Sequence, residues 1–248
     1  MAKKALLVGI NYPGSMAELR GCVNDVNLME SILKKHYGFK QIRKITDKQA
    51  TTARILKELK WLVASSKKGD TLYFHYSGHG SQVADRNGDE ADRLDEILCP
   101  IDLNWRNKIV TDDDLARIFA NAHPQANLTV TLDCCHSGDG IRGGLVDPNA
   151  KLPKSKWIPT PEDVLKSEVK QRLLKEDAVR RISRRKGILI SGCKSNQTSA
   201  DAWIEAEKRY MGACTYYMSV VLKRHKYKIT YDKLVKEVRT LLKRNGFT

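Results

Sequence analysis

The chain has 248 residues, 41% hydrophobic and 29% charged, enough for one large α/β domain or two small ones around a real core. Its net charge of +15 raises nucleic acid as a partner, but much of the excess lies in Lys166–Lys186 and Lys223–Arg244 at helical spacing, without a zinc-finger or RNP signature. Six cysteines with no secretory leader and no C-x-x-C pair argue against a disulfide framework or a zinc site, and no apolar run nears the ~20 residues that cross a bilayer.

A cytoplasmic protein is therefore expected. In chain order, Ala5–Ile10 reads as a buried strand closed by the turn Asn11-Tyr12-Pro13-Gly14. Asn24 and Asp25 offer capping side chains to a helix through about Tyr37, with Val26, Met29, Ile32 and Leu33 on one stripe. Gln41–Thr46 is a short strand, Thr51–Ser66 a helix and Thr71–Tyr76 a third strand. A short strand is expected over Glu96–Ile101, and Thr111 caps a helix to about Ala122 with acids in its first turn. Leu128–Leu132 and Gly187–Gly192 are further strands, and helices over Ala213–Arg224 and Tyr231–Arg244 finish the chain. This alternation predicts an α/β fold with a mainly parallel sheet covered on both faces.

Two of the strands end on glycine-bounded tips that hold reactive side chains. One is Ser77-Gly78-His79-Gly80; the other is Asp133-Cys134-Cys135-His136-Ser137-Gly138. Ligands bind beyond the carboxyl ends of parallel strands, so a His and a Cys at two such tips face one crevice. A free thiol is only a few per cent thiolate at neutral pH and needs a base, which His79 supplies to Cys135. The amides of Gly80 and of the residues around Cys135 are candidate donors to an oxyanion. Each residue alone is more often inert, Cys135 as core filling and His79 as a structural histidine. The joint pattern is what favours chemistry.

The runs Tyr76–Gln82 and Asp133–Gly138 together resemble the paired catalytic motifs of metacaspases, with the His about 50 residues upstream of the Cys. Gly21–Asp25, Ile190–Cys193, Thr198–Ala202 and Gly212–Tyr216 extend the resemblance over nearly the whole chain. The resemblance implies a caspase-like three-layer sandwich. It divides the chain into a large-subunit-like part over about 1–145, a basic linker over about 146–186 and a small-subunit-like part over about 187–248. It implies a cysteine endopeptidase cutting after Arg or Lys through a thioester, with Cys135 as nucleophile and His79 as base.

By the same resemblance, Asp25, Asp133 and Ser77 line the pocket for the basic side chain, where carboxylates pair a guanidinium or an ammonium. Cys134 is a neighbour of the nucleophile, His136 is structural, and Cys22 matches a family cysteine without an evident role. Asp95, Asp112 and Asp113 match most of a calcium-binding set, but Arg142 stands where a further aspartate is expected, so Ca²⁺ is an open expectation. Asp85–Glu90 lacks the spacing of a full calcium loop. Lys166–Lys186 is a natural self-processing segment for an enzyme of this specificity. The partners expected are peptide or protein substrates, with the enzyme a monomer and neither membrane nor nucleic acid involved. A catalytically silent binding or scaffold protein is the alternative, opposed by the presence of both Cys135 and His79.

Overall fold

Period-two alternation in the first strand, β1 (Lys3–Gly9), sorts its side chains between two cores: Ala5 and Leu7 face one, Leu6 and Val8 the other. The computed structural model describes residues 1–84, 94–135, 151–167, 187–192 and 199–247. β2 (Gln41–Thr46), β3 (Thr71–Ser77), β7 (Asn127–Asp133) and β9 (Ile188–Ser191) join β1 in a five-stranded sheet of order β2-β1-β3-β7-β9. All four pairings are parallel. Burial on both faces explains why the inner strands β1, β3 and β7 read as largely apolar runs, whereas the edge strand β2 is mostly exposed and polar.

One face carries α1 (Cys22–Tyr37), α5 (Ala213–Arg224) and α6 (Tyr231–Arg244), packed through Val26, Met29, Met218, Val221, Leu234 and Val238. The other face carries α2 (Thr52–Val63) and α3 (Asp112–Phe119), packed through Ile55, Leu59, Leu62, Leu115 and Ile118. The result is an α/β sandwich of three layers with a mainly parallel central sheet, as expected. Two three-stranded antiparallel sheets sit beyond the main one. The first is β4 (Gly80–Ala84), β5 (Leu94–Leu98) and β6 (Val110–Thr111); the second orders β11 (Arg209–Gly212), β10 (Ala200–Ile204) and β8 (Lys154–Ser155). A short α4 spans Glu162–Ser167.

Two expectations change in detail. Helix α1 starts at Cys22 behind Gly21 with no side-chain cap, so Asp25 lies inside the first turn rather than capping it. Its carboxylate is drawn away instead by the Gly212 amide, at 2.9 and 3.0 Å from the two oxygens. The strand expected over Glu96–Ile101 forms two residues earlier, over Leu94–Leu98, where it pairs with β4 in a hairpin. Thr111 does cap α3, in a capping box whose second member is Asp114.

Candidate active site

Parallel register sets the site. Gly9, Ser77 and Asp133 lie side by side at the carboxyl ends of β1, β3 and β7. Two residues beyond Ser77 comes His79, and two beyond Asp133 comes Cys135, both buried.

The His79 ring is fixed by its Nε2, 2.7 Å from the Ala17 carbonyl. A carbonyl only accepts, so Nε2 carries the proton and Nδ1 keeps the lone pair. Nδ1 makes no hydrogen bond of good geometry. The His79 amide donates to the Tyr12 hydroxyl at 3.0 Å, and the Tyr76 hydroxyl donates to the His79 carbonyl at 2.7 Å. Gly78 makes this possible: a Cβ there would stand 2.6 Å from the Tyr76 hydroxyl and 3.0 Å from that of Tyr12. Burial lowers the His79 pKa to about 4, against the Ala17 carbonyl, which raises it. At neutral pH the imidazole is therefore uncharged and able to take a proton.

The Cys135 thiol donates to the Ser199 carbonyl at 3.2 Å, and Sγ also accepts from the Ser199 amide. The amides of Cys135 (3.2 Å) and Gly80 (3.0 Å) both donate to one oxygen, the carbonyl of Lys156. Two convergent N–H groups on a single carbonyl oxygen are the arrangement of an oxyanion hole.

The side chain of that same lysine fills the acidic pocket. Lys156 is fully buried, with Nζ 3.2 Å from Asp25 Oδ2, 3.1 Å from Asp133 Oδ1 and 2.9 Å from Ser77 Oγ. Ser77 in turn donates to Asp25 at 2.7 Å. Asp133 is the better-satisfied acid, accepting from the Ser199 hydroxyl, the Thr215 amide at 2.9 Å and the Thr215 hydroxyl at 2.6 Å. Burial would raise Asp133, but the Lys156 ammonium and these hydroxyls hold it below the ordinary carboxylate range. Asp25 is pushed up to about 6, by burial first and by the like charge of Asp133, with Lys156 opposing. Burial would lower Lys156, yet Asp133 and its acidic neighbours raise it well above its ordinary value. One ammonium thus serves two carboxylates, with Asp133 the firmer partner.

The backbone around Lys156 is held as an added strand. Ser155 and Lys154 on β8 pair antiparallel with Ala200 and Asp201 on β10, and the Lys156 amide donates to the Ser199 carbonyl at 3.0 Å. Beyond it, the Ile158 amide donates to the Gly80 carbonyl at 3.1 Å. Strand addition of this kind is a common way to hold a peptide.

Around Lys156 the fold brings together Cys135, His79, Gly80, Asp25, Asp133 and Ser77, all named from the sequence. Cys22 is buried beside them, and burial raises its thiol pKa, so it stays protonated. The acids read as calcium ligands lie elsewhere: Asp95 on β5 opposite Val83, and Asp112 and Asp113 in the first turn of α3. Among the described residues no three His, Cys, Asp or Glu side chains are grouped to hold a metal ion. Asp85–Glu90, His136 and Arg142 fall outside the described residues, as does most of Lys166–Lys186. Sequence reasoning assigned no role to Lys156, Ser199, Thr215 or Tyr12. Ser199 and Thr215 lie in the segments that resemble the family's, but nothing in their spacing marks them as partners of Asp133.

A family model described as metacaspase, peptidase C14 domain, matches residues 3–142. The chain is 35% identical to Metacaspase-1 of Scheffersomyces stipitis over 97% of its own length and 67% of that protein's. It is 34% identical to Metacaspase-1 of Ajellomyces capsulatus over 96% of the chain and 75% of the relative. With Metacaspase-1A of Aspergillus terreus it shares 35% identity, but spans only 59% of that relative's length. The crystal structure of a Geobacter sulfurreducens protein superposes with a TM-score of 0.69 at 26% identity, covering 96% of this chain and 88% of that one. No helix among the described residues is long and apolar enough to cross a membrane. By family match and by fold, the chain belongs to the metacaspase family of cysteine peptidases.

Proposed function

We propose that this domain cuts peptide bonds after Lys or Arg, with Cys135 as nucleophile and His79 as base and then acid. The observation that carries the reading is Lys156, whose ammonium lies between Asp25 and Asp133 while its carbonyl accepts from the Gly80 and Cys135 amides. A basic residue before the cut would sit the same way. His79 Nδ1 takes the thiol proton as Sγ attacks the carbonyl carbon, and the two amides bind the oxyanion. Collapse breaks the C–N bond, and His79 delivers its proton to the leaving amine. Water then attacks the thioester, giving up a proton to His79 that returns to Cys135 as the new carboxyl end departs.

Lys156 lies as the basic residue of a substrate would, so we propose the Lys156–Trp157 bond as a site of self-processing. While uncut, the segment occupies the pocket against other substrates. The test is hydrolysis of fluorogenic peptides ending in Arg or Lys by the wild type and by Cys135→Ala. Release by the wild type and none by the variant is expected. Equal rates in the two proteins would leave a binding protein on a peptidase fold.

A further inference from the structure

Gly212 joins β11 to α5 with φ −65° and ψ 126°, a conformation open to any residue. The backbone therefore does not demand glycine here; space does. A Cβ on residue 212 would overlap Asp133 Oδ2 and Lys156 Nζ and lie 2.5 Å from Asp25 Oδ2. The two carboxylates have little room to step aside. Asp133 is held by Ser199 and by both donors of Thr215, and Asp25 by Ser77 and by the Gly212 amide itself. What remains to move is the cation between them.

We propose that Gly212 is a specificity-determining residue of the pocket. Its missing side chain leaves the volume that the cationic head of a Lys or Arg side chain occupies, and its amide aims Asp25 at that head. This rests on the reading that the pocket takes a basic residue. The three atoms nearest that Cβ belong to Asp133, Lys156 and Asp25, so a methyl added at residue 212 meets the pocket directly and reaches the catalytic pair only by displacing Lys156.

A misfit of one methyl in a side-chain pocket changes discrimination by about 10- to 200-fold. Gly212→Ala is therefore expected to lower kcat/KM for Arg- and Lys-ended peptides at least about tenfold, mainly by raising KM, with the bulkier guanidinium losing more. The same methyl expels Lys156 and with it the strand that covers Cys135. Alkylation of Cys135 by iodoacetamide, which needs no pocket, is expected to quicken. Cleavage falling while alkylation rises is the signature of the assigned role.

If the wild type cleaves Arg and Lys peptides and Gly212→Ala does so equally well, the assignment of Gly212 fails alone. A fall in both cleavage and alkylation overturns it too, as does alkylation that quickens at the distant buried Cys99 as much as at Cys135, which marks a merely structural glycine. If the wild type cleaves neither peptide, the basic-residue reading fails first and takes this inference with it. Should Gly212→Ala not fold, Lys156→Ala/Gly212→Ala removes one of the three overlapping atoms. Compared with Lys156→Ala alone, a tenfold loss on the Arg peptide upholds the assignment and equal rates overturn it.

Discussion

At the scale of single residues, Lys156 organises the site, and the sequence gives no sign of it. It stands in Lys151-Leu152-Pro153-Lys154-Ser155-Lys156-Trp157, where two other lysines look the same and no periodicity marks one as buried. The acids that receive it were legible, because Asp25 and Asp133 sit in the segments that carry the resemblance. Gly212 opens another such segment, but its contribution is a volume, and volumes are invisible until the chain folds. Removing the cation leaves two buried carboxylates facing one another, and breaking a buried pair from one side costs about 3–5 kcal/mol. Lys156→Met is expected to lose stability of that order in denaturant titrations, and agmatine, a free guanidinium, to restore part of it by binding the vacated pocket. A variant as stable as the wild type and indifferent to agmatine would contradict the ion-pair account.

Among the elements, those buried on both faces or strongly amphipathic were readable: β1, β3, β7, α2 and α6 fall within a few residues of their expected places. The short antiparallel strands were not. β8 has only two residues, and β10 and β11 lie where resemblance stood in for pattern, so the added strand beneath Lys156 could not be foreseen. The start of α1 was misread for a related reason: Asp25 looks like a cap until a partner 187 residues away claims its carboxylate. Where the cap is local, as at Thr111, the sequence is enough to place it. There the side-chain oxygen accepts the Asp114 amide at 3.0 Å, and Thr111→Ala is expected to cost about 1 kcal/mol, read as a shift in the denaturation midpoint. No change would mean that β6 and not the cap holds the start of α3.

Over the whole molecule, two buried histidines tie folding to pH. His75 is fully buried beneath the pocket, with no hydrogen-bond partner on either ring nitrogen, and burial lowers its pKa to about 4, as it does for His79. An unfolded histidine titrates near 6.5, so below that pH the unfolded chain binds more protons and folding weakens. The stability is fully present above about pH 6.5 and is lost as pH falls to about 4, up to about 3 kcal/mol for each ring. Asp25, raised to about 6, works the other way between the two values and offsets part of the loss. His75→Phe should therefore flatten the acid limb, gaining stability relative to wild type at pH 5 but not at pH 8. A difference independent of pH would remove His75 from that role.

Specificity is likewise set by the whole molecule, because the pocket is assembled from α1, β3, β7 and the junction of β11 with α5, elements spread over nearly the full chain. The negative charge of that pocket is what selects the substrate in the proposed reaction. The most direct test compares wild-type kcat/KM for a peptide ending in Arg with one ending in citrulline, which keeps the shape and removes the charge. A preference for Arg of at least about a hundredfold is expected, since an uncharged head leaves two buried carboxylates with no cation between them. Equal rates on the two peptides would contradict it.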